Sequence, residues 1–170
     1  FKGVNMTAPV QFFENPAFLL DDKQIWKNIE TLQRNIPQEY RSNGFDPEES
    51  CLNLDIKMET GTGKTYVYTK TIFEMHQKYG FNKFIIAVPS LAIKAGTEQF
   101  LNEPYARRHF ADICGYGTEI ETLVLEAPKS RKKGRSYFPG VVSEFVKGSC
   151  QNTKKIYVLL VNMQLLTNGK

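Results

Sequence analysis

The stretch METGTGKT at residues 58–65, directly behind the apolar run LNLDI, constrains this chain more than any other. A loop that holds phosphate needs backbone N–H groups converging on an anion. It therefore takes glycine wherever a side chain would block the approach or φ must be positive, and Gly61 and Gly63 supply those positions. Lys64 can reach the β- and γ-phosphates of a nucleotide, and the Thr65 hydroxyl is placed to ligate Mg²⁺. A helix starting near Gly63 aims its N-terminal N–H groups and positive dipole end at the same phosphates. Strand, loop and helix stand in the order such a site requires. The competing reading, a glycine-rich turn with Lys64 merely solvated, leaves that order unexplained. Thr60, Gly61, Thr62, Gly63, Lys64 and Thr65 are the expected nucleotide-binding residues, with Mg²⁺ at Thr65.

The rest of the chain agrees with a domain of the same kind. KQIWKNIETLQRNI carries Ile25, Trp26, Ile29, Leu32 and Ile36 at helical spacing, with Asp21 or Asp22 as N-cap and Pro37 as stop. Residues 38–50 read as a loop. LNLDIKM reads as a strand and GKTYVYTKTIFEMHQKY as a helix ending at Gly80. KFIIAVP is a continuous apolar run of the kind found in strands buried on both faces. LAIKAGTEQFL is a second helix, weakened by Gly96. ETLVLEA is a strand, 128–136 a loop, VVSEFVK a short helix or strand, and KIYVLLV another buried strand. Strands alternating with helices predict an α/β fold with a mostly parallel sheet covered on both faces.

Composition removes several classes. The 170 residues suffice for one domain with a real core. Cys51, Cys114 and Cys150 are far apart with no CxxC pair, which argues against a disulfide framework or a zinc site and suits a reducing compartment. No apolar run approaches a membrane span and no signal pattern opens the chain, so the expected location is cytoplasmic. A net charge of +4 permits an anionic partner without demanding one.

Met58 stands where the strict GxxxxGK[ST] pattern has glycine, and that departure narrows the class. The form x-x-TGxGKT resembles the first motif of superfamily 2 helicases and translocases. FIIAVPSLAIKAG resembles their motif Ia, in which a strand ends at Pro–Ser/Thr and the next helix N-terminus meets a nucleic-acid phosphate. Taken together, METGTGKT and FIIAVPSLAIKAG look most like the Res subunit of type III restriction–modification enzymes; the related type I motor subunits share TGTGKT. VLLVNMQLL resembles the strand and turn that carry motif Ib. The matching segments cover residues 52–102 and 156–166.

The resemblance implies a RecA-like P-loop domain in which residues 1–50 are a lead and helix and 51–170 a partial ATP-binding domain. Motif II, the second RecA domain and its arginine finger are expected beyond Lys170, leaving a fragment inactive by itself. The implied cofactors are ATP and Mg²⁺. The implied partners are double-stranded DNA, which the intact enzyme moves along and cuts, and a methyltransferase (Mod) subunit. Ser90 would hold a DNA phosphate, with Lys94 adding charge; their plain readings are an N-cap serine and an exposed lysine. Asn162 and Gln164, two apart at a strand end, would point the same way toward DNA, or simply close the strand. Asn162 can also be read as a degenerate Walker B residue, but the Ib reading is preferred. Gln24 is the candidate for reading the adenine edge, against a solvated glutamine at a helix start.

The remaining features favour plain readings. Lys129, Arg131, Lys132, Lys133 and Arg135 suit DNA phosphates, but a solvated charge run is favoured. Phe12, Phe13 and Phe18 could stack on a base, although such residues usually pack on a core. His76 and His109 have no ligand-spaced partners, so neither is assigned a metal. Two other classes stay open: another P-loop ATPase or kinase, and a non-hydrolysing nucleotide-dependent binding module.

Overall fold

A computed structural model describes residues 14–16, 21–41, 56–127, 139–148 and 154–167. The basic run at 129–135, Phe12, Phe13, Phe18 and residues 51–55 of the strand expected before the phosphate loop lie outside the described residues. The chain forms two compact units, Ala17–Thr62 and Phe1–Pro16 with Gly63–Lys170. The division falls inside METGTGKT, so each half of that stretch belongs to its own unit. Among the described residues no helix is long and apolar enough to cross a membrane.

In the smaller unit, helix α1 spans Asp22–Gln33 and starts where the acidic pair predicts. Asp21 is the N-cap: its side chain accepts from Gln24 N at 2.8 Å while Gln24 Oε1 accepts from Asp21 N at 3.2 Å. Two otherwise orphaned helix N–H groups are thus satisfied reciprocally. The helix ends four residues before Pro37, where Arg41 bonds the carbonyls of Arg34 and Ile36. Residues Ile56–Glu59 carry no strand, and Ile56 is 73% exposed, so the expected strand does not extend through Met58.

The larger unit is built on a parallel sheet in the order β1–β3–β2, with β1 Lys83–Val88, β2 Glu119–Val124 and β3 Lys155–Asn162. β3 is central because it is apolar on both faces. Ile156, Val158 and Leu160 point to one side, Leu159 and Val161 to the other, and all are buried. On the first side lie α2 (Lys64–Tyr79), α3 (Leu91–Asn102), the short α4 (Pro104–Arg108) and a π-helical turn at His109–Ile113. They close a core of Ile72, Phe73, Leu101, Phe110, Tyr116, Ile120, Ile156 and Val158. Full burial of each aliphatic side chain is worth about 1.5–3 kcal/mol. On the second side α5 (Gly140–Lys147) packs mainly over β3 and β2.

That placement corrects the reading of KFIIAVP as a strand buried on both faces. β1 is an edge strand of the described sheet, and Ile85, on the side where α5 lies over β2 and β3, is 61% exposed. Its entry is nevertheless held firmly. Asn15 Oδ1 accepts from Asn82 N and Lys83 N at 2.9 Å each, and Asn15 Nδ2 donates to Lys83 O at 2.7 Å. Gly80, at φ +73°, ends α2 in the left-handed conformation that favours glycine.

One cluster should make the unit's stability depend on pH. Tyr116 stacks on Phe73 with ring centroids 4.8 Å apart and donates its hydroxyl to the Glu74 carboxylate. Lys78, one turn along α2, meets the same carboxylate at 2.8 Å. The Lys78 hydrogen bond, followed by that of Tyr116, holds the Glu74 carboxyl below its ordinary range. Burial, followed by the bond to Glu74, pushes the Tyr116 phenol well above its own. A depressed carboxyl stabilises the fold above its unfolded pKa, and that contribution is lost as pH falls through the folded value. A raised phenol contributes below its unfolded pKa, and that contribution is lost as pH rises beyond it toward the folded value. Glu74→Gln should therefore flatten the acid limb of a plot of melting temperature against pH. Superimposable acid limbs for the two proteins would contradict the assignment.

Candidate nucleotide site and the carboxyl edge of the sheet

The stretch METGTGKT shows its geometry in each unit separately. In the smaller unit, Gly61 has φ +81° and the Thr62 hydroxyl donates to Glu59 O at 2.7 Å, closing a tight turn. In the larger unit, Gly63 has φ +86° and is the N-cap of α2. A side chain at either position would be strained by about 1–2 kcal/mol, because the left-handed region brings Cβ against the carbonyl oxygen. Among the described residues, chain neighbours aside, no atom lies within 4 Å of a Cβ built at Gly61 or Gly63, so backbone conformation rather than crowding favours glycine there. Among the described residues no side chain caps α2, and its first intrahelical bond runs from Val67 N to Gly63 O at 3.0 Å. The N-terminus of a 16-residue helix thus presents its first-turn N–H groups without a capping side chain. Lys64, the first residue of the helix, is exposed, and Thr65 is half-buried.

Gln24 sits in the smaller unit as the third residue of α1, exposed, with its amide engaged in the capping box.

The expected DNA-contacting residues are only partly brought together. Val88 and Asn162 are register partners across β1 and β3, so Ser90, two residues after Val88, and Asn162 share the carboxyl edge. Ser90 is the N-cap of α3, accepting from Ile93 N at 3.3 Å. Lys94 turns inward: it is 7% exposed, and its ammonium donates to Leu125 O at 2.7 Å, tying α3 to the chain leaving β2. Asn162 is 2% exposed. Its Oδ1 accepts from Gln164 N at 2.8 Å, while its Nδ2 is buried without a partner. Gln164 is exposed, but in helix α6 (Met163–Thr167), not on the strand. This corrects the reading in which strand geometry makes Asn162 and Gln164 parallel. The Asn162 side chain caps the following turn, and the backbone leaves the extended conformation there.

Sequence reasoning missed one group. Tyr66, His109 and Cys114 meet in the larger unit, with Tyr66 Oη 3.0 Å from His109 Nε2 and Cys114 Sγ 3.6 Å from the same nitrogen. Nothing in the run PYARRHFADIC announces a π-helical turn. Pro104 at the first position of α4 was the one readable sign of a helix there.

Comparison with known proteins decides what such a domain belongs to. A family model described as "Type III restriction enzyme, res subunit" matches residues 22–169. The chain belongs to the type III restriction enzyme Res family. Among its relatives, the type III restriction-modification enzyme EcoPI Res subunit of Escherichia phage P1 is 42% identical over 92% of this chain and 16% of its own length. The EcoP15I Res subunit of Escherichia coli is 38% identical over 94% of this chain and 16% of its own length. The StyLTI Res subunit of Salmonella typhimurium is 44% identical over 69% of this chain and 12% of its own length. The chain therefore spans less than a fifth of the Res subunits it matches. The resemblance carried by METGTGKT and FIIAVPSLAIKAG is borne out, and with it the α/β, RecA-like fold class: a parallel sheet with helices on both faces.

Proposed function

We propose that this chain is the nucleotide-binding part of the motor of a type III restriction Res subunit. ATP with Mg²⁺ is bound at METGTGKT, and hydrolysis in the intact protein drives movement along double-stranded DNA that leads to cleavage. A Mod methyltransferase subunit is the partner that recognises the DNA site. The observation that carries this reading is the start of α2, a long helix behind Gly63 in the left-handed conformation, with no capping side chain among the described residues. Its N–H groups and positive dipole end suit a phosphate, the Lys64 ammonium suits the β- and γ-phosphates, and the Thr65 hydroxyl is a hard oxygen ligand of the kind Mg²⁺ takes. Bound MgATP supplies the phosphoryl group whose hydrolysis releases the energy for movement. The chain's own part is to hold and orient it. Membership of the Res family supports this reading over a small-substrate kinase.

Ser90 is the residue proposed to meet DNA. It lies at the carboxyl edge of β1, where ligands of open α/β sheets gather. Such a contact is to the phosphate backbone, so binding should weaken with salt and show little sequence preference. The test is ATP hydrolysis by the intact protein with and without double-stranded DNA. Hydrolysis should rise on adding DNA and cease when Mg²⁺ is chelated. Ser90→Ala should lower the DNA-stimulated rate more than the basal rate. Hydrolysis indifferent to DNA would remove the motor reading and leave only the nucleotide site.

A further inference from the structure

In an α-helix, residues five apart lie about 140° from one another around the axis and do not meet. From His109 to Ile113 the backbone instead makes a π-helical turn, with Cys114 N donating to His109 O at 3.1 Å. The wider turn carries His109 and Cys114 onto one side, where imidazole Nε2 and the sulfur lie 3.6 Å apart. Tyr66, in the first turn of α2, brings its Oη to 3.0 Å from Nε2 and 3.9 Å from Sγ. All three residues are half-buried. Single π-turns are rare and concentrate at functional sites.

We infer that Tyr66 Oη, His109 Nε2 and Cys114 Sγ form a three-donor site for a borderline-soft divalent cation of the zinc class. Bond lengths of about 2.3 Å to sulfur, 2.05 Å to nitrogen and 2.1 Å to oxygen at tetrahedral angles set the edges of such a site. They come to about 3.6 Å for S–N, 3.4 Å for N–O and 3.6 Å for S–O. The observed triangle has sides of 3.6, 3.0 and 3.9 Å. A swing of the phenol by a few tenths of an ångström, away from nitrogen and toward sulfur, makes the two coincide. A water completes the fourth position. Binding forms one metal–thiolate and one metal–phenolate bond and releases both the thiol and the phenol proton to solvent.

The donor set separates this site from the Mg²⁺ position at Thr65. Thiolate and imidazole select zinc or cobalt, whereas Mg²⁺ demands oxygen ligands. Among the described residues no group of three or more His, Cys, Asp and Glu gathers, so three donors are reached only through the tyrosine. Ligation would also fasten the first turn of α2 to the π-turn, two residues after Lys64.

The test uses the chain with Cys51 and Cys150 replaced by serine, so that Cys114 is its sole thiol, titrated with Co²⁺. One equivalent should produce a sulfur-to-cobalt charge-transfer band with the strong visible bands of tetrahedral cobalt, and Zn²⁺ should displace both. His109→Ala and Cys114→Ser should abolish the signal with circular dichroism unchanged, and Tyr66→Phe should weaken affinity about tenfold or more. Absence of the charge-transfer band, or its survival in a folded His109→Ala protein, overturns the site. If a variant fails to fold, alkylation of Cys114 in the parent reads the same question. Zn²⁺ should protect the thiol, and equal rates with and without Zn²⁺ overturn the proposal.

Discussion

Lys64→Ala in the intact protein is expected to abolish ATP hydrolysis, a loss of at least about a hundredfold, corresponding to roughly 2.7 kcal/mol or more of lost charge stabilisation. The reason is the position of the residue: Lys64 is exposed, the first residue of α2, directly behind a glycine in the left-handed conformation. On the proposed reading it is the side-chain cation that METGTGKT would offer to the β- and γ-phosphates. Alanine is the best helix former, so the substitution leaves α2 intact. The melting temperature without nucleotide should therefore stay unchanged while hydrolysis disappears. Wild-type turnover in a Lys64→Ala protein would falsify the nucleotide site, and with it the motor reading built on it.

The largest effect on stability is expected at Phe110, a residue far from any motif. Phe110 is 3% exposed and lies against Tyr66 with ring centroids 5.3 Å apart, against Phe73 at 5.1 Å, and edge-on to Phe100 at 6.4 Å. With Phe73, Phe100 and Ile120 it also lines a cavity of about 210 Å³. Truncation there joins new empty volume to old instead of letting neighbours close in. Phe110→Ala should thus cost about 3–5 kcal/mol. Chemical denaturation of the chain measures this directly from the shift in midpoint at constant slope. A loss below about 1 kcal/mol would show that the aromatic cluster does not hold α2 and the π-turn to the sheet.

The two outcomes should also separate by readout. Lys64→Ala is expected to remove activity while leaving helix α2 folded. Phe110→Ala removes packing at a distance from the phosphate loop in sequence. It reaches α2 through Tyr66, whose ring rests on Phe110 and whose hydroxyl meets His109. A stability defect that also weakens cobalt binding would place the aromatic cluster and the three-donor site in one mechanical unit.

Much of the fold was legible because it is written locally. Gly61, Gly63 and Gly80 announce left-handed backbone by lacking a Cβ, and each adopts it. Asp21 and Ser90 announce helix starts because a short oxygen-bearing side chain can satisfy a free N–H, and each does so. The strand at Lys155–Asn162 is recognisable from its unbroken apolar run, of the kind common in strands covered on both faces. The family, too, was readable, since METGTGKT and FIIAVPSLAIKAG are short local motifs that resemble those of the Res family to which the chain belongs.

What only the tertiary structure decided is every property that depends on which segments become neighbours. The sheet order β1–β3–β2 leaves Ile85 exposed in a run indistinguishable, by composition, from the buried strand beside it. Lys94 reads as a surface lysine one turn into a helix, yet the end of β2 passes close enough for Leu125 O to take its ammonium inside. Asn162 and Gln164 share a face only if the strand continues, and it stops because the Asn162 side chain captures the Gln164 N–H. Tyr66, His109 and Cys114 have no common spacing in the chain, and Tyr66 lies 43 residues before His109. Packing of α2 against the sheet, together with one extra residue in a helical turn, brings them within reach. Local sequence specifies backbone conformation because sterics and capping act over a few residues. Burial, pairing and the meeting of donors are set by contacts between segments remote in the chain, which no short motif encodes.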